Sequence, residues 1–132
     1  MSKVLIVDDH TAFRKGLNLM IQEIPEVKEV VELVDGEQFL NTIDEILPDV
    51  IFMDIRLPGI SGMDAAVLAL KQNPQLRIIF LTMFGEEKYY RDAMNAGAKG
   101  FILKPPTLLQ LKDAYQTVMQ GRVYFPTELK LW

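Results

Sequence analysis

Val50-Ile51-Phe52-Met53-Asp54-Ile55-Arg56-Leu57-Pro58-Gly59 decides how this chain folds. An apolar run ends in a carboxylate, and a loop marked by proline and glycine follows. A short apolar run bounded by turn signals fits a strand buried on both faces, as in parallel sheets. Val4-Leu5-Ile6-Val7 ends the same way, in Asp8-Asp9. If the two runs are neighbouring parallel strands, three carboxylates meet at one sheet edge.

Like charges that close repel, so the group is stable only with a cation among it or with part of it protonated. A bound divalent metal is the cheaper solution. Two further apolar runs end differently: Ile78 to Leu81 stops at Thr82, and Phe101 to Leu103 stops at Lys104. Carboxylate oxygens suit Mg²⁺, while hydroxyl and ammonium donors suit phosphate oxygens. Asp8, Asp9, Asp54, Thr82 and Lys104 together read as a phosphoryl-transfer site.

Working outward, β-branched runs alternate with segments of helical period. After Val4 to Val7, Phe13, Leu17, Met20, Ile21 and Ile24 recur at spacings of 3 and 4 until Pro25. Val27 to Val34 is a second strand, and Phe39, Leu40, Ile43 and Leu47 form the next stripe up to Pro48. Val50 to Met53 leads through its loop to a helix of Ala65, Ala66, Leu68, Ala69 and Leu70, closed near Asn73-Pro74. Ile78 to Leu81 precedes a helix from Glu86 to Ala96 stopped by Gly97, and Gly100 to Leu103 precedes one capped by Thr107 and ended at Gly121. Five β-α units predict an α/β fold, a five-stranded parallel sheet doubly wound with helices. Ligands in such sheets bind outside the carboxyl ends of the strands, where all five polar residues fall.

Composition bounds the rest. At 132 residues the chain is one domain by size, and 49% apolar content excludes a disordered or collagen-like chain. Cysteine is absent, which removes disulfides and thiolate chemistry; no apolar run approaches a membrane span, and a cytoplasmic location is expected. A net charge of −4 without a Lys/Arg block longer than two gives no footprint for nucleic acid, so this domain alone is not expected to bind DNA.

The ordered set Val7-Asp8-Asp9-His10, Met53 to Gly59, Leu81-Thr82 and Leu103-Lys104-Pro105 resembles the receiver domain of a two-component response regulator, a CheY-like, flavodoxin-like (βα)5 fold, from about Lys3 to Gln120. Asp8-Asp9-His10-Thr11-Ala12-Phe13-Arg14-Lys15-Gly16-Leu17 and Gly121-Arg122-Val123-Tyr124-Phe125-Pro126 further resemble the subfamily whose receivers precede a LuxR/FixJ-type (NarL-type) helix-turn-helix. The resemblance implies a receiver over 1–120. Residues 121–132, with Tyr124, Phe125 and Trp132, are then a packed terminus or a cut linker to a helix-turn-helix domain that this chain lacks.

It also implies roles. Asp54 takes a phosphoryl group from the phosphohistidine of a sensor histidine kinase, becoming an aspartyl phosphate. Mg²⁺ or Mn²⁺ is held by Asp9, Asp54 and the Arg56 backbone carbonyl, with Asp8 acting mainly through metal-bound water; without the resemblance, the acid pair fits equally well as an N-cap for the Thr11 helix. Lys104 pairs with a phosphoryl oxygen, and the Lys104-Pro105 peptide is cis. Thr82 bonds the new phosphoryl oxygen, while Phe101 either fills the space it leaves or simply packs in the core. The phosphorylated surface then regulates an output, with homodimer formation and transcription through the missing domain. The chain catalyses its own phosphorylation and dephosphorylation without turning over a separate substrate.

Departures stand beside the match. Met83 follows Thr82 where a small residue is usual, and Arg56 and Phe84 occupy positions that tune water access; Met83 and Phe84 slow phosphorylation, dephosphorylation or both. His10 is read as a local loop residue, and Pro106 is a second proline without a backbone donor. Three rival readings meet the same residues. A strand-end-aspartate phosphatase typically needs a second acid where Arg56 stands. A nucleotide-binding domain needs a glycine-rich loop where Asp8-Asp9-His10-Thr11 stands. The alternative is a phosphorylation-independent interaction module in which Met83 blocks the site.

Overall fold

The computed structural model describes residues 2–125. Five strands and five helices alternate: β1 (Ser2–Val7), α1 (Thr11–Ile21), β2 (Val27–Leu33), α2 (Gly36–Ile46), β3 (Val50–Met53), α3 (Gly62–Gln72), β4 (Ile78–Thr82), α4 (Glu87–Ala96), β5 (Gly100–Leu103) and α5 (Leu108–Met119). The strands form one parallel sheet in the order β2-β1-β3-β4-β5. This is the doubly wound parallel sheet that the alternation predicts, and its strand order is that of the CheY-like, flavodoxin-like fold that the resemblance implies.

Period-2 alternation inside each central strand divides the core between the faces of the sheet. Leu5, Val7, Ile51, Met53, Ile78 and Phe80 meet Phe39, Ala65, Ala69 and Ala93 from α2, α3 and α4. Val4, Ile6, Val50, Phe52, Ile79 and Leu81 meet Leu17, Ile21, Leu111, Ala114 and Val118 from α1 and α5. Each large side chain so buried contributes about 1.5–3 kcal/mol over its exposed state. Both faces being covered explains why the central strands read as unbroken apolar runs.

Element ends follow local chemistry. Thr107 and Gln110 close a reciprocal capping box on α5, and Gly97 ends α4 in the left-handed conformation with φ 92°. Two expected stripe positions are corrected. Ile24 lies beyond α1, because the helix tightens into i−3 bonds (Ile24 N to Ile21 O, 3.0 Å) ahead of Pro25; its side chain is still fully buried. Leu47 follows α2 as its left-handed cap, φ 51° and 73% exposed, since Pro48 disfavours helical backbone in the residue before it. Leu68 lies in α3 as expected, half exposed, while Ala65, Ala66, Ala69 and Leu70 form its inward face.

The chain beyond α5 is packed as far as it is described. Tyr124 forms a parallel bridge to Gly100 at the β5 edge, and Phe125 meets the Tyr90 ring edge-on at 5.4 Å. Pro126 to Trp132 lie outside the described residues. Among the described residues, no helix is long and apolar enough to cross a membrane.

Candidate phosphoryl-transfer site

Sheet order brings the predicted polar residues together. β1 and β3 are neighbours with Val7 opposite Met53, so Asp8 and Asp54 leave adjacent strands at one level; the Asp54 amide donates to the Val7 carbonyl at 3.0 Å. β4 and β5 pair Thr82 with Leu103, and the Lys104 amide donates to the Thr82 carbonyl at 2.8 Å. Gly62 closes the β3–α3 loop over the site. Its amide donates to the Ile55 carbonyl, and a Cβ there lies 1.8 Å from the Asp54 carbonyl oxygen, a distance no side chain tolerates.

Lys104 Nζ donates to Asp8 Oδ2 at 2.8 Å and to Asp54 Oδ2 at 2.9 Å, with all three side chains almost fully buried. The same ammonium sits 4.2 Å from the centroid of the Phe13 ring. Burial pulls the Lys104 pKa down, but the hydrogen bonds to Asp8 and Asp54 outweigh it and the net shift is upward. Asp54 Oδ1, in contrast, is buried with no hydrogen-bond partner. A buried unpartnered carboxylate oxygen is costly, and an approaching cation or electrophile relieves it.

Asp8, Asp9, His10 and Asp54 each offer one ligand atom, all within 4.8 Å of one another. Three carboxylates with a buried orphan oxygen fit a hard divalent cation. His10 is mostly exposed, its Nδ1 3.3 Å from Asp8 Oδ1 and 3.5 Å from Asp9 Oδ1. The acid pair does not cap α1: His10 is the N-cap residue and makes no side-chain cap bond. Asp8 Oδ1 instead accepts from the His10 amide at 2.8 Å, a turn closed before the helix starts.

Thr82 is fully buried, and its hydroxyl oxygen accepts from the Phe84 amide at 3.2 Å, so that bond leaves the hydroxyl proton uncommitted. The Lys104-Pro105 peptide is cis. Phe101 is fully buried, opposite Phe80 in register and edge-on to Tyr90 at 5.6 Å between centroids. Met83 is 73% exposed, so its bulk lies in solvent. Arg56 and Phe84 touch each other: the guanidinium carbon lies 4.3 Å from the Phe84 centroid, and Arg56 Nη2 donates to the Tyr89 hydroxyl at 3.2 Å.

Three contributors escaped sequence reading. Phe13 reads as part of the first helical stripe, and Tyr89 carries no pattern along the chain that marks it. Arg14 had a signal: it lies three residues before Leu17 and seven before Ile21, a charge on the buried stripe of α1. Its Nε donates to Glu32 Oε1 and its Nη1 to the Asp8 carbonyl, both at 2.7 Å. Burial raises the Glu32 pKa, but bonds from Asn18, Arg14 and Lys15 pull it below the usual carboxylate value.

Comparison with known proteins shows the family. The family described as the response regulator receiver domain matches residues 4–116. The chain is 33% identical to the response regulator GacA of Pseudomonas aeruginosa over 129 residues, which are 98% of this chain and 60% of GacA. It is 34% identical to the oxygen regulatory protein NreC of Staphylococcus epidermidis, covering 96% of this chain and 59% of NreC. The chain thus spans less than two thirds of these relatives' length. The structure of a LuxR-family two-component response regulator from Aurantimonas sp. SI85-9A1 superimposes with a TM-score of 0.91 at 27% identity, covering 98% of this chain and 92% of that one. The receiver domain of the putative response regulator NarL from Mycobacterium tuberculosis superimposes with a TM-score of 0.83 at 31% identity, covering 92% and 98%. The chain belongs to the response regulator receiver domain family of two-component systems, related to the LuxR/NarL-type regulators.

Proposed function

We propose that this receiver takes a phosphoryl group from the phosphohistidine of a sensor histidine kinase onto Asp54. The observation that carries the reading is the buried, unpartnered Asp54 Oδ1 beside an Oδ2 already held by Lys104. One oxygen is anchored, and the other is left to react. The carboxylate oxygen bonds to phosphorus as the phosphorus–nitrogen bond breaks, and the departing imidazole nitrogen keeps the electron pair and takes a proton.

Asp9, Asp54 and the Arg56 carbonyl would hold Mg²⁺ or Mn²⁺, with Asp8 acting through its waters. When bound, the ion offsets charge as an anionic carboxylate meets an anionic phosphoryl group. Lys104 exchanges a carboxylate partner for a phosphoryl oxygen, and Thr82 donates its hydroxyl proton to another. Movement of Thr82 changes the packing of Phe101 and Tyr90, so a local charge event biases the surface of α4 and β5. The output is pairing of two chains and transcription regulation through a DNA-binding domain in the longer protein.

Intact mass after incubation with a small-molecule phosphodonor and Mg²⁺ tests the reading, with EDTA and Asp54→Ala as controls. The expected result is a gain of one phosphate that needs both metal and Asp54. No gain in folded, Mg²⁺-supplied protein rejects it in favour of a phosphorylation-independent interaction module.

A further inference from the structure

Among the described residues Arg14 is the one buried arginine, 6% exposed, and its hydrogen bonds go to Glu32 and the Asp8 carbonyl, not to Asp54. Burying a guanidinium is costly unless it is fully paired. Here it joins the end of β1 to β2, with Nη1 on the Asp8 carbonyl and Nε on Glu32. Glu32 is held in turn by Asn18 Nδ2 at 2.6 Å and Lys15 Nζ at 3.2 Å. The Asp8 amide already donates to the Leu33 carbonyl at 3.1 Å, so both main-chain groups of Asp8 are tied to the β2 side.

The need for such a tie is visible next door. His10 caps α1 without a side-chain bond and Asp9 is substantially exposed; the Asp8 side chain closes its turn onto the His10 amide, and Arg14 Nη1 holds the carbonyl of the Asp8-Asp9 peptide itself. We infer that Arg14 is a positioning residue for the acidic pocket: its fork, braced by Glu32, holds the Asp8-Asp9 peptide so that both carboxylates converge on Asp54. The inference rests on the proposed metal-dependent reading of that pocket. It goes beyond it by assigning pocket geometry to a residue outside the ligand set.

The sign of one measurement separates positioning from charge. Arg14 is a cation beside a cation site, so by Coulomb's law alone its removal tightens Mg²⁺ binding. Loss of a positioning group weakens it, by about 10-fold or more when outer partners of metal ligands are removed. Mg²⁺ titration calorimetry on the unphosphorylated wild type, Arg14→Gln and Arg14→Lys, beside thermal melts, reads this directly. The expected result is about 10-fold weaker binding in both variants, with Glu32→Gln adding little once Arg14→Lys is present. Should Arg14→Gln fail to fold, Arg14→Lys decides, because it keeps the charge and loses the fork. Binding unchanged or tighter in a folded variant, even with a lowered melting temperature, overturns the inference and leaves Arg14 a core ion pair. A wild type that binds no Mg²⁺, or binds it equally well as Asp54→Asn, removes the functional reading beneath it and the inference with it.

Discussion

Lys104 Nζ stands 2.9 Å from Asp54 Oδ2 while Asp54 Oδ1 faces no partner at all. The pair crosses the sheet from β5 to β3, and one ammonium is shared by two buried carboxylates, since Asp8 Oδ2 is also 2.8 Å away, which leaves one negative charge without a counter-charge.

Lys104→Met leaves those carboxylates buried without a counter-charge. Breaking a buried pair by removing one partner costs about 3–5 kcal/mol, measured here by denaturant unfolding in EDTA and reduced when Mg²⁺ is added. Because the folded Lys104 pKa is raised above its ordinary 10.5, its contribution is fully present below 10.5 and lost as pH rises through the folded value. The gap between wild type and variant is therefore constant through neutral pH and closes only in alkaline solution.

Asp54→Asn removes one of three like charges. In EDTA it is as stable as the wild type or more so, and it accepts no phosphoryl group. The wild type gains about 1.4 kcal/mol at Mg²⁺ ten times its dissociation constant. Parallel unfolding curves with and without Mg²⁺ show that gain lost in the variant.

Gly62→Ala drives a methyl into the Asp54 carbonyl, and backbone has nowhere to yield. Overpacking of this severity destabilises by about 3 kcal/mol or more, and surviving folded protein binds Mg²⁺ more weakly because the β3–α3 loop has shifted. Unfolding and calorimetry on the same preparation check both.

Arg56 and Phe84 act as one unit, since the guanidinium stacks on the ring and is held by Tyr89. Arg56→Ala and Phe84→Ala each shorten the lifetime of the aspartyl phosphate by opening the β3 and β4 ends to water. The double variant is no faster than the faster single one. Loss of the added phosphate mass over time reads all three.

Leu47→Gly relieves a left-handed leucine that is exposed and packs little. Left-handed strain of about 1–2 kcal/mol less the entropic cost of glycine, about 0.5–1 kcal/mol, leaves a gain of up to about 1.5 kcal/mol. A melting temperature at or above wild type is the expected outcome.

By itself the sequence determined the five β-α units, because unbroken apolar runs and helical stripes are properties of consecutive residues. It also determined which polar residues sit at strand ends, since Asp8, Asp9, Asp54, Thr82 and Lys104 each follow or close an apolar run. Helix ends were legible where one residue decides them, as at Thr107 and Gly97, and misread at Ile24 and Leu47, where a following proline redirects the backbone. Only the tertiary structure decided that Lys104 bridges Asp8 to Asp54, residues 96 and 50 positions away, and that one Asp54 oxygen is left over. It alone joined Arg14 to the Asp8 carbonyl and Arg56 to Phe84. Such pairings depend on strand order and on the direction each side chain takes, and nearest-neighbour chemistry along the chain carries neither.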